Sequence, residues 1–134
     1  MIRLRVPGAL EYRDLVVRVV AAACKLVPAE DPDFGHQVVS AASEAFNNAA
    51  LHAYQDRPRA DIELELELTP DGITLRMTDQ GQSFDFDSAP EPDLDALPES
   101  GLGIYIMKAC MDAVSYRPGT PNVLTMKRSI RRRP

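Results

Sequence analysis

Between Ile62 and Leu68 apolar and acidic residues alternate without a break, Ile-Glu-Leu-Glu-Leu-Glu-Leu, and between Ile73 and Thr78 apolar and polar residues alternate again. A period of two sends successive side chains to opposite faces of a strand. The intervening Thr69-Pro-Asp-Gly72 is turn chemistry, so the two runs predict a β-hairpin. Glu63, Glu65 and Glu67 share one face, while Ile62, Leu64, Leu66 and Leu68 share the other. Burial on one face predicts a sheet covered by helices on one side only. Ile2 to Val6 alternates apolar and basic residues before Pro7-Gly8 and predicts a further strand; Val114 to Tyr116 and Asn122 to Lys127 predict two more.

Elsewhere the period is helical. From Leu10 to Val27, residues Leu15, Val16, Val19, Val20, Ala23, Leu26 and Val27 recur at helical spacing, and Pro28 ends the pattern. A second helix is expected from about Asp33 to Tyr54, stopped by Gln55-Asp-Arg-Pro58. Val39, Ala42, Phe46, Ala50 and Ala53 cluster on one side of it, and Glu44, Asn48 and His52 on the other. Gly101 to Val114 reads as a third helix, with Ile104, Met107, Met111 and Val114 inward and Ser100 as its cap. The fold class is therefore α+β, a two-layer α/β sandwich.

The 134 residues suit one domain spanning residues 1–134, long enough to bury a core without disulfides or a structural metal. A net charge of −5, from 15 basic against 20 acidic residues, argues against general nucleic-acid affinity, which needs a basic face. Cys24 and Cys110 are too far apart in sequence for a zinc or redox motif and read as buried thiols in a reducing compartment. The N-terminal residues lack the order of a secretion signal and no apolar run approaches a membrane span, so a cytoplasmic protein with no membrane partner is expected. The basic run from Lys127 to Pro134 reads as a fraying tail.

Three segments carry candidate chemistry. Residues four apart on a helix stand about 6 Å apart along its axis, roughly one turn, so Glu44, Asn48 and His52 form one stripe able to address one ligand. Magnesium keeps several waters while bridging phosphates, so a single carboxamide oxygen, that of Asn48, suffices to hold it; the Glu44 carboxylate can then take a proton from an attacking hydroxyl. The plainer reading is a solvated helix face. In the second segment, Asp79-Gln-Gly81-Gln-Ser-Phe84-Asp85, Asp79 ends a strand where a carboxylate can accept from the amine of adenine, and Gly81 lets the backbone approach the ring. The plainer reading is an ordinary turn. In the third, Ser100, Gly101, Leu102 and Gly103 lead into a helix whose unpaired amides favour phosphate oxygens, against the plainer reading of a hinge. Between the last two, residues 82–99 hold three prolines and six acids with no basic residue, a composition suited to a mobile lid. Together the segments predict a pocket for ATP and Mg²⁺.

With Glu44-x-x-x-Asn48-x-x-x-His52-Ala-Tyr54 and Gly101-Leu-Gly103-Ile-x-Ile-Met107, followed by Met111-Asp112, the chain resembles the GHKL ATPase superfamily, and most of all its small anti-sigma-factor serine kinases. The resemblance covers nearly the whole chain. It implies a mixed, mostly antiparallel sheet under helices, ATP and Mg²⁺ as cofactors, Asn48 at the metal and Glu44 as base towards a serine or threonine. It further implies Asp79 and Gly81 at adenine and Gly101, Leu102 and Gly103 at the phosphates, with His52, Phe84 and Ser100 grouped among the nucleotide-binding residues. Its implied partners are a sigma factor and a small antagonist protein that the kinase phosphorylates, and it suggests a homodimer. Two positions depart from the pattern. Glu99 stands where some relatives carry an arginine, and the superfamily's late-strand threonine has two candidates, Asn122 and Thr125, of which neither is assigned. Glu99 and the acidic lid motivate an alternative, a nucleotide-binding switch that sequesters a partner with little or no catalysis. A detached histidine-kinase catalytic domain ranks last, since His36 reads as solvent-facing and His52 belongs to the pocket stripe.

Overall fold

A computed structural model of the chain describes residues 1–51, 60–83, 86 and 102–131. Five strands, β1 (Ile2–Pro7), β2 (Asp61–Thr69), β3 (Gly72–Asp79), β4 (Ala113–Arg117) and β5 (Asn122–Ser129), form one sheet in the order β1-β2-β3-β5-β4. Every neighbouring pair is antiparallel, which narrows the expected mixed sheet to a wholly antiparallel one. The hairpin of β2 and β3 forms as its alternation predicts, with Leu64 opposite Met77 and Leu66 opposite Leu75 on the buried face. Gly72 closes the turn because a Cβ there would collide with the carbonyl oxygen of Arg128.

Among the described residues three α-helices, α1 (Arg13–Cys24), α2 (Phe34–Leu51) and α3 (Leu102–Cys110), form the second layer, with α2 packed between the other two. Val16 and Val20 from α1, Phe34, Val38 and Phe46 from α2, and Met107 from α3 meet Ile62, Leu66, Leu75, Met77 and Met126 of the sheet in one core. The alanines of α2 at 41, 42, 45, 49 and 50 are all buried, and such small side chains let neighbouring helices approach closely. Because α2 is flanked on both sides, its polar stripe is not a solvent face: Glu44 and Asn48 are half-buried. Val39, expected in the apolar cluster, is only half-buried, and Ala53 lies outside the described residues.

Other expectations are corrected. The helix expected over 10–27 begins with a 3₁₀ turn, Leu10–Tyr12, and α1 ends at Cys24. Leu26 N–H and Val27 N–H donate to carbonyls three residues back, so the last turn tightens; Leu26 is 71% exposed and Leu15 47% exposed, neither facing inward. The helix expected over 101–114 stops at Cys110, because Asp112 N–H donates to Lys127 O and its carboxylate accepts from Ser129 N–H, which starts the β4 pairing that takes in Val114. The basic tail is also shorter than expected: Lys127, Arg128 and Ser129 belong to β5, and Arg128 is fully buried. His36 is exposed as expected, and Cys110 is half-buried rather than buried. The expected lid, apart from Gln82, Ser83 and Phe86, lies outside the described residues. Among the described residues no helix is long and apolar enough to cross a membrane.

Cys24 is buried at the end of α1, and desolvation pushes its thiol up to about 11 from 9.0. The folded chain therefore keeps its proton where the unfolded chain has lost it. This contribution to stability is fully present below pH 9.0 and is lost as the pH rises from there to about 11. Denaturant titrations are expected to show a loss of roughly 2–3 kcal/mol across that interval, absent in Cys24→Ala.

Candidate nucleotide and phosphoryl-transfer site

The last turns of α2 and the first turn of α3 face each other. A Cβ built on Gly103 would lie 2.9 Å from Glu44 Oε2, 3.5 Å from Asn48 Oδ1 and 3.6 Å from Asn48 Nδ2. The missing side chain at Gly103 therefore lets a carboxylate and a carboxamide pack against the first turn of α3, the end at which a helix dipole favours anions. The i, i+4 spacing brings Glu44 and Asn48 to the same spot, and the absence of a Cβ at Gly103 lets α3 approach them. Leu102, the first residue of α3, is half-buried beside it.

A second group of polar residues gathers at the end of β3. Asp79 and Asn122 are directly paired in the β3–β5 register, and both are buried on the helix-covered face of the sheet. Asp79 Oδ1 accepts from Gly81 N–H at 2.9 Å and from Asn122 Nδ2 at 2.9 Å. Asn122 Nδ2 also donates to Gly81 O at 2.9 Å, while its Oδ1 accepts from Gly119 N–H at 2.9 Å and from the Ser83 hydroxyl. Both ends of the Asn122 amide are thus engaged, which fixes its orientation and that of the carboxylate it holds. A buried acid at a strand end, held through one oxygen, suits recognition of an exocyclic amine.

Of the expected site residues, the structure brings Glu44, Asn48 and Gly103 together, with Leu102 beside them, and places Asp79 with Gly81 at the strand end. His52, Phe84, Ser100 and Gly101 lie outside the described residues. Between the two late-strand candidates the geometry separates Asn122 from Thr125: Thr125 pairs with Arg76 and Ser115 on the open face, whereas Asn122 contacts Asp79. The signal was present in the alternation Asn122, Leu124, Met126, which puts Asn122 on the inward face. Phe86 is buried 5.9 Å from the Tyr116 ring, with Lys108 Nζ 4.7 Å from its own ring centre.

Among the described residues no group of three His, Cys, Asp or Glu side chains can hold a metal by itself. The Asn48 carboxamide beside Gly103 is an oxygen donor of the kind Mg²⁺ takes together with waters and phosphate oxygens. A separate cavity of about 580 Å³ at the other end of α2, lined by Cys24, Val27, Phe34 and His36 among others, shares no residue with this site.

The family model described as a histidine kinase-like ATPase domain matches residues 6–128. A serine-protein kinase RsbW of Bacillus velezensis is 29% identical over 133 residues, covering 93% of this chain and 82% of that protein. An RsbW of Staphylococcus aureus is 27% identical over 140 residues, covering 98% and 87%. Among solved structures, Acinetobacter baumannii histidine kinase AdeS aligns with a TM-score of 0.52 at 14% identity over 98% of this chain and 70% of that one. The histidine kinase domain of the Erythrobacter litoralis EL346 blue-light activated histidine kinase aligns with a TM-score of 0.54 at 18% identity over 73% of this chain, which spans less than half (45%) of that chain. These two likenesses concern the fold, an antiparallel sheet flanked by helices, as found here. With the model match running from β1 almost to the end of β5, the chain belongs to the histidine kinase-like (GHKL) ATPase superfamily, and the curated relatives it resembles are serine-protein kinases RsbW.

Proposed function

We propose that the protein is an ATP-dependent serine/threonine protein kinase of the cytoplasm that also acts as an anti-sigma factor. In this reading it binds a sigma factor and phosphorylates an antagonist protein, so that phosphorylation decides which partner is held. The observation that carries it is the convergence of Glu44 Oε2 and the Asn48 amide on Gly103 at the start of α3. Asn48 would hold Mg²⁺ through its side-chain amide, and the ion would supply positive charge against the charge developing on the phosphates. Gly101, Leu102 and Gly103 offer backbone N–H groups to the phosphates, with Ser100, His52 and Phe84 as further nucleotide contacts. Asp79, held by Asn122, accepts from the adenine amine, and Gly81 lets the ring lie against the backbone. Glu44 takes the proton of the incoming serine or threonine hydroxyl.

The test is incubation of the purified chain with γ-labelled ATP, Mg²⁺ and a candidate antagonist protein. Label on a serine or threonine of the antagonist is expected. Tight nucleotide binding with no label transferred would favour the switch reading that Glu99 motivates.

A further inference from the structure

The open face of the sheet, turned away from the helices, carries a charge pattern that phosphoryl transfer leaves unused. On the β1–β2 half, opposite charges face each other: Arg3 Nε lies 3.6 Å from Glu65 Oε1 and Arg5 Nε 3.1 Å from Asp61 Oδ2. The β3–β5–β4 half is different. Its register builds three successive rows, Thr78–Val123–Arg117, Arg76–Thr125–Ser115 and Thr74–Lys127–Ala113. On these three strands each row holds one cation and no acid, and each continues on β2 to a glutamate, Glu63, Glu65 or Glu67, of which Glu65 lies 3.8 Å from Arg76.

Arg117 and Lys127 are exposed and have no ion-pair partner among the described residues, while Arg76 shares Glu65 at 3.8 Å. Arg76, Arg117, Ser115 and Thr125 together line a hollow of about 360 Å³. In a chain of net charge −5 this is a local reversal of sign.

Rows two residues apart along a strand are about 6.8 Å apart, which is also the spacing of alternate side chains in any extended chain. The three cations stand on β4, β3 and β5, so a segment lying along β5 meets one per row, to either side or beneath it. We propose that this ladder docks an extended segment of a partner protein that carries carboxylates at alternate positions. Arg76 and Arg117 grip the carboxylates with their planar donor forks, and Ser115 and Thr125 add hydroxyl donors. As surface electrostatics the contact is salt-sensitive.

The probes are two fluorescein-labelled octapeptides of the same Glu and Thr content, one alternating and one with the glutamates in a block, titrated with the full chain and read by anisotropy. The alternating peptide is expected to bind tighter than the block peptide by about threefold or more. The double variant Arg76→Gln/Arg117→Gln is expected to weaken it about tenfold with the thermal midpoint kept, since exposed pairs add little stability. Glu63→Gln/Glu67→Gln on the other half leaves binding unchanged or stronger. Equal affinity for the two peptides, or an unaltered affinity in the double arginine variant, overturns the proposal. So does a sedimentation result in which that variant loses a dimer and no peptide binds, since the face then belongs to a second copy. None of these readings requires nucleotide, so they stand or fall apart from the kinase reading.

Discussion

Glu44→Gln is expected to lower phosphoryl transfer to the antagonist by about 10²–10⁴-fold, the usual effect of removing a general base, with ATP affinity almost unchanged. Glutamine keeps the volume and planar shape of glutamate, so the half-buried position between α2 and α3 stays filled. What it removes is the basic oxygen that stands 2.9 Å from the position of the absent Cβ at Gly103. Asn48 and the backbone at the start of α3 remain, and with them the proposed grip on metal and phosphates. Single-turnover transfer and nucleotide binding measured on the same sample separate the roles, because loss of a transition-state interaction lowers the rate and leaves ground-state affinity. An unchanged transfer rate would place the base elsewhere. Parallel loss of the thermal transition would show Glu44 to be structural.

The second large effect is expected far from that chemistry. Arg128→Ala should cost about 3–5 kcal/mol, the range for breaking a buried ion pair from one side. The guanidinium lies in the core: Nη2 donates to Asp31 Oδ2 at 2.8 Å and to Gln37 Oε1 at 2.7 Å, and Nε donates to Gln37 Oε1 at 3.2 Å. Nη1 donates to the Ser129 carbonyl, and the guanidinium carbon lies 5.4 Å from the Phe34 ring centre. One side chain thus ties the end of β5 to the start of α2, the helix that carries Glu44 and Asn48. Alanine leaves a void and takes the cation from Asp31 and Gln37; lysine, a point charge without the planar fork, cannot reach all three acceptors. Chemical denaturation is the measurement, and a fall in thermal midpoint of about 10–20 °C should accompany it. A loss below about 1 kcal/mol would mean that Asp31, whose side chain is 29% exposed, is rehydrated at no cost and that the clamp adds little.

Arg128 also shows where the sequence could be read and where it could not. The hairpin was legible because Ile62 to Leu68 alternates strictly, and a period of two has one structural meaning when one face is apolar. Asn122, Leu124 and Met126 continue the same alternation, and Arg128 is the next inward position. A basic run conceals it, because a buried arginine is recognised only when its acceptors are known, and Asp31 and Gln37 lie 97 and 91 residues away. The ends of helices were harder for a related reason: Val114 fits a helical stripe as well as a strand, and the pairing of β4 with β5 decides between them. Leu26 fits the stripe of α1, but the 3₁₀ turn rotates it into solvent. At the candidate site, the spacing of Glu44 and Asn48 was readable from the helical period. Their closeness to Gly103 and the contact of Asn122 with Asp79 join residues far apart in sequence, which only the folded chain brings together.

The central claim is that Asn48 and the start of α3 hold ATP together with a divalent ion. Titration calorimetry of ATP into the full chain, with and without Mg²⁺ and repeated on Asn48→Ala, tests it most directly. The account predicts saturable binding strengthened by Mg²⁺ in the native chain, and loss of that Mg²⁺ dependence in a variant that still melts cooperatively. No binding heat at millimolar ATP from a well-folded native sample, or an equal Mg²⁺ effect in both proteins, would contradict it.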